Sequence, residues 1–126
     1  MAMYLGSNKV SGIGEDSCSL TTDGSAVKTG RIIDNKDEYV KRITLNGFPN
    51  NGVTKTWATG LNVPNIIVTD IKVSVLSGSG NWFMLPNNDS VNSKASLNKD
   101  GNINVTCYQG NLNGCSGYAE IYYINK

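Results

Sequence analysis

Four separated stretches of this 126-residue chain carry apolar side chains at every second position. Ile67, Ile71, Val73 and Val75 share one phase, against Val68, Asp70, Lys72 and Ser74. Ile103, Val105 and Cys107 alternate with Asn102, Asn104 and Thr106. Ala119, Ile121 and Tyr123 alternate with Glu120, Tyr122 and Ile124. Tyr39, Ile43 and Leu45 keep the same spacing, interrupted by Lys41. Successive side chains of a strand point to opposite faces, so the pattern predicts half-buried β-strands. A slip of one residue would turn each apolar set outward, which pins the register. Ile43, Leu45, Ile71, Val73, Val75, Ile103, Val105, Ile121 and Tyr123 are the predicted core. A weaker strand is predicted over 53–59, with Lys55 and Trp57 on one face. No window holds a helical apolar face of useful length.

Short turn signals separate these runs: Asp23-Gly24, Asp34-Asn35, Pro49-Asn50-Asn51-Gly52, Ser77-Gly78-Ser79-Gly80, Pro86-Asn87-Asn88-Asp89, Asp100-Gly101 and Asn113-Gly114. Asn and Gly readily supply the positive φ angles of tight hairpins. Gly, Asn, Ser and Thr make up 52 of the 126 residues, a composition that favours turns and strands over helix interiors. The expected fold is all-β: an antiparallel β-sandwich, jelly-roll-like, over residues 34–126. Residues 1–33 have only scattered apolar residues and read as an extended N-terminal attachment arm.

Lys and Arg number 11 against 10 Asp and Glu. That balance argues against nucleic acid as a partner, because neutralising phosphates needs a basic excess. No apolar run reaches the ~18 residues of a membrane span, so no membrane insertion is expected. The opening Met-Ala-Met-Tyr lacks a basic region and a long apolar stretch, which points to synthesis and assembly in a cytoplasm. Cys18, Cys107 and Cys115 are odd in number and form no CxxC pair, so neither a disulfide framework nor a zinc site is indicated. They read as free thiols, with a meeting of Cys107 and Cys115 across a hairpin as the open alternative. No cofactor or metal is expected.

The chain has no His, the commonest general base. No Ser-x-x-Lys or Gly-x-Ser-x-Gly occurs, and Gly12-Ile13-Gly14 is a dinucleotide fingerprint broken by Ser17. Glycoside hydrolysis needs only two carboxylates, for which Glu15, Asp16, Asp37, Glu38 and Glu120 are the candidates. Asp37-Glu38 adjoins a predicted turn and reads as solvated. Glu120 reads as lying on the wet face of its strand. Asp100-Gly101-Asn102 lacks the further acidic ligands of a calcium loop and reads as a hairpin turn. Trp57, Trp82 and Tyr108 are the candidate binding residues, as a patch for stacking sugars or docking protein. The plainer reading of each is a core aromatic.

Residues 34–126 resemble a C-terminal β domain of tail, tail-fibre and related virion proteins from phages and prophages of Gram-positive hosts. Four segments carry the likeness. Asp34-Asn35-Lys36-Asp37-Glu38-Tyr39-Val40-Lys41-Arg42-Ile43-Thr44 is similar to the opening strand, and Phe48-Pro49-Asn50-Asn51-Gly52-Val53-Thr54-Lys55-Thr56 to a following Leu-Pro-Asn segment. Ser77 to Pro86 matches a Gly/Ser turn leading to Leu-Pro. Gly114 to Lys126, through Ser116-Gly117-Tyr118, matches the terminal strand. Asn35 departs from the usual Gly, and Ile124-Asn125 from the usual Thr before the last Lys. Met3 to Gly12 resembles an opening seen in baseplate, fibre and head-associated phage proteins.

The resemblance implies a non-enzymatic virion structural protein on a tail, baseplate or fibre, contacting host-surface carbohydrate. It supplies no catalytic residues. A capsid decoration or head-fibre protein on the capsid exterior is the near alternative, favoured by the short length. A free carbohydrate-binding module and a small glycan hydrolase are the other classes. The partners expected are other virion proteins and a second and third copy of the chain. Val10, Ile13, Leu20, Val27, Ile32 and Ile33 of the arm need apolar cover, from a neighbouring subunit or the virion shell; cyclic symmetry points to a homotrimer, with an arm folded back on a monomeric domain as the alternative.

Overall fold

The computed structural model describes residues 19–85, 93–108 and 112–126. Eight strands occur in them: β1 (Val27–Ile33), β2 (Lys36–Leu45), β3 (Val53–Ala58), β4 (Ile66–Leu76), β5 (Trp82–Leu85), β6 (Lys94–Leu97), β7 (Asn102–Cys107) and β8 (Ser116–Asn125). All pairings are antiparallel. One sheet has five strands in the order β1-β2-β8-β4-β5, and the other has three in the order β3-β7-β6. The chain therefore changes sheet between β2 and β3, returns at β4, changes again between β5 and β6, and returns between β7 and β8.

Both sheets contribute to one apolar core. Ile43, Leu45, Val73, Val75, Leu85, Ala119 and Ile121 come from the larger sheet and Ile103, Val105 and Cys107 from the smaller. Phe48 and Leu112 are closed in with them. The nine predicted core residues are buried or packed against this cluster. Cys107 is a buried thiol whose pKa is pushed up, first by burial; the hydrogen bond with Ser93 pulls it down, and the Cys115 thiol adds to the rise. Gly117 sits where β8 passes closest to β4: a Cβ there would run into the Ser74 carbonyl and the Val75 Cα.

β1 and β2 are joined by a two-residue hairpin loop in which Asp34 and Asn35 both take positive φ, 52° and 61°. The boundary drawn at residue 33 thus falls on a hairpin turn. The described part of the segment expected to be an arm lies along the sheet. Its anchor is Asp23, whose N–H donates to the Arg42 carbonyl (2.8 Å). The Asp23 carboxylate in turn accepts from the Thr44 N–H (2.8 Å) and the Thr44 hydroxyl (2.6 Å). Residues 1–18 of the arm, with Glu15, Asp16 and Cys18, lie outside the described residues, as does the Pro86–Asp89 turn.

Two expectations are corrected. Ile67 is 46% exposed rather than in phase with Ile71, Val73 and Val75. The β4·β8 register shifts between Val68 and Asp70, so Thr69 is an extra residue that flips the alternation. Glu38, read as solvated, has a fully buried side chain. Thr69 Oγ1 donates to one of its oxygens (2.6 Å) and Thr29 Oγ1 to the other (2.9 Å). Arg31 stands 3.5 Å away. Thr29 belongs to a second irregularity, where the β1·β2 register shifts around Gly30, at φ 92°.

Candidate functional site

The outer face of the five-stranded sheet is set by the residues out of phase with the core. Arg42, Glu120 and Lys72 face one another across β2, β8 and β4, and Thr44, Tyr118, Ser74 and Met84 form the next row. Trp82 is paired with Leu76 beside that row. The register thus draws residues from four strands, Arg42 to Glu120, onto one patch.

Aromatic and cationic groups line up there. The Tyr118 ring is stacked with Trp82, centroids 6.2 Å apart and planes at 25°. The Arg42 guanidinium carbon lies 4.2 Å from the Tyr118 ring centroid, within cation–π reach. Lys72 Nζ is 5.1 Å from the Tyr122 ring. Tyr122 donates its hydroxyl to Glu120 Oε1 at 2.9 Å. Burial, then this hydrogen bond and the Glu120 charge, push the Tyr122 pKa up to about 12, so the phenol remains a donor. Arg42 Nη1 is 3.8 Å from Glu120 Oε2, and Arg42 Nε is buried with no hydrogen-bond partner. A pocket of about 260 Å³ opens among Arg42, Lys72, Ser74, Met84, Tyr118 and Glu120.

The structure separates the three sequence candidates. Trp82 lies on this outer face and is 56% exposed. Trp57 is on β3 in the other sheet, half-buried against the core and tilted against Phe48, with Lys55 Nζ 5.2 Å from its ring. Tyr108 follows β7, half-buried, its N–H donating to Ser93 Oγ. Trp82 has Tyr118 and Arg42 as companions instead. Their signal was present in part: Tyr118 shares the outer phase of Glu120 and Tyr122. The opposition of Arg42 and Glu120 depends on a register between segments far apart in sequence.

Of the carboxylates, Glu38 gives both oxygens to threonine hydroxyls and Asp37 pairs with Lys28 at 3.3 Å. Asp100-Gly101-Asn102 belongs to the β6–β7 hairpin, where the Asn98 side chain accepts from the N–H groups of Asp100 and Asn102. No cluster of three or more potential metal ligands occurs among the described residues. No helix among them is long and apolar enough to cross a membrane.

An exposed tryptophan fits the apolar side of a sugar ring, while flanking charged and hydroxyl groups supply the polar contacts such ligands need. No protein-family model, curated protein or solved structure matches the chain.

Proposed function

We propose that the chain is a non-enzymatic virion protein of the tail, baseplate or fibre type, and that it contacts host-surface carbohydrate through the outer face of the five-stranded sheet. The virion reading rests on the sequence resemblance over residues 34–126. The carbohydrate reading rests on one observation: the row Arg42, Tyr118 and Trp82, ring and cation in contact, of which Arg42 and Tyr118 line a pocket. In this reading the two sheets form a sandwich whose nested pairs β2·β8 and β3·β7 are jelly-roll-like, while the β4·β5 and β6·β7 hairpins depart from that plan. The segment ahead of β1 attaches it, and it works as a homotrimer.

Two measurements test the proposal. Gold-labelled antibody on intact particles is expected to mark the tail tip or baseplate. Label on the capsid exterior would replace the tail reading by the decoration reading, and unlabelled particles would leave a free carbohydrate-binding module. Purified protein is expected to sediment with Gram-positive cell walls stripped of protein, and to lose this on Trp82→Ala. Sedimentation that is absent, or unchanged by that substitution, would overturn the glycan site.

A further inference from the structure

The pocket's own groups are unequally satisfied. Glu120 accepts the Tyr122 hydroxyl at 2.9 Å. Arg42 makes no hydrogen bond from its guanidinium among the described residues: its nearest carboxylate oxygen is 3.8 Å from Nη1, and Nε has no partner. Lys72 forms no ion pair among the described residues; its ammonium lies 5.1 Å from the Tyr122 ring, and its charge is felt by the Glu38 carboxylate. Two cations and one carboxylate line the pocket, and that carboxylate neutralises at most one of them. The Tyr118 ring, 4.2 Å from the guanidinium carbon, holds Arg42 in place before a ligand arrives. Nε is closed off, which leaves the Nη nitrogens as the donors for that ligand.

The geometry points to a saccharide bearing an anionic substituent, carboxylate or phosphate, as the ligand of this pocket. This inference rests on the glycan reading above and narrows it. The sugar ring lies on the exposed Trp82, beside Tyr118. Its anionic oxygens accept from the Arg42 Nη groups, which bind carboxylate and phosphate as a planar fork, and pair with Lys72. Ser74 lines the pocket beside them for the ring hydroxyls. A neutral sugar would fill the platform and leave unused the positive charge that Glu120, 3.8 Å from Arg42, does not neutralise.

The test is a titration of ¹⁵N-labelled protein followed by nuclear magnetic resonance. The probes are methyl glucuronide, glucose 6-phosphate and neutral methyl glucoside. Each anionic probe is expected to bind about tenfold more tightly than the neutral one, moving the Trp82 indole and Arg42 Nε–H resonances together. The relative affinity of the two anionic probes distinguishes carboxylate from phosphate. Arg42→Gln is expected to bring the anionic and neutral affinities to within about twofold of each other. Lys36→Gln is the charge control: six residues along β2, roughly 20 Å away by the strand rise, it is expected to leave the preference intact. Equal affinity for all three probes would overturn the inference and leave the glycan site standing. Failure of every saccharide to move the Trp82 resonance would overturn both. A loss of preference in Lys36→Gln equal to that in Arg42→Gln would reduce the effect to long-range charge and overturn the inference. The wild-type resonances carry the test if Arg42→Gln does not fold.

Discussion

Thr69 on β4 donates a 2.6 Å hydrogen bond to Glu38 on β2, although β8 lies between their strands. The extra residue in β4 makes this contact available, and Thr29 completes it from the β1 side. A buried carboxylate thereby ties three strands of the sheet together. Replacing it leaves two hydroxyls and Arg31 without their acceptor. Glu38→Ala is expected to lower unfolding free energy by about 2–3 kcal/mol, measured by urea denaturation. A loss below about 0.5 kcal/mol would show that the network is replaced by water at no cost.

The same network sets an acid limit. The Glu38 pKa is lowered from 4.5, chiefly by the Thr69 hydrogen bond, against burial, which raises it; Thr29, Arg31 and Lys72 also lower it. A carboxyl whose folded pKa lies below its unfolded one binds fewer protons when folded. Its stabilisation is complete above the unfolded value of 4.5 and is lost as pH falls through the lower folded value. The melting temperature is therefore expected to fall more steeply below that pH in the wild type than in Glu38→Gln. Asp23, also lowered, by its bonds with Thr44, is common to both proteins. Parallel curves from calorimetry would remove Glu38 as the cause.

The two tryptophans are expected to separate stability from binding. Trp57 packs against Phe48 and the core, so Trp57→Ala is expected to cost about 2–3 kcal/mol, less than a fully buried Trp. Trp82 is more than half exposed, and Trp82→Ala is expected to change stability by less than about 1 kcal/mol while removing saccharide binding. Thermal melts alongside the wall-binding assay check both. A Trp82→Ala protein as destabilised as Trp57→Ala would place Trp82 among the structural residues.

Gly117 offers the sharpest structural test. An added methyl group meets backbone, which has no rotamer to move. Gly117→Ala is expected to cost more than about 3 kcal/mol or to abolish folding, because β4 must separate from β8 to admit it. Gly52→Ala is the contrast: nothing lies within 4 Å of the new Cβ, and only the backbone at φ +79° resists. Similar urea midpoints for the two variants would argue against the close β4–β8 approach.

Period-two alternation made the cores of β2, β4, β7 and β8 legible, because each apolar set has one buried phase. It misplaced Ile67 because a bulge inserts a residue without changing composition, and no count of periods registers it. Glu38 was misread by its neighbourhood: beside a hairpin, charge is ordinarily wet. Its partners come from β1 and β4, which only the sheet order brings together. Trp57 and Trp82 are chemically alike, and their opposite surroundings follow from which sheet and which phase each occupies. The alternation placed Tyr118 with Glu120 and Tyr122, yet Arg42 joins them only through the β2·β8 register, a pairing of segments about 80 residues apart.

β8 runs through the middle of the five-stranded sheet, with β2 on one side and the β4·β5 pair on the other. During synthesis, β2 and β4 leave the ribosome long before the residues that join them. Until Asn125 has emerged, each has an open edge where β8 belongs, and Tyr118 and Glu120 are not yet in place to complete the pocket. The order of translation thus makes closure of this sheet, and with it any capacity to bind, a late event. Nascent chains from neighbouring ribosomes present the same open edges to one another in that interval, when exposed strand edges are most prone to mispairing.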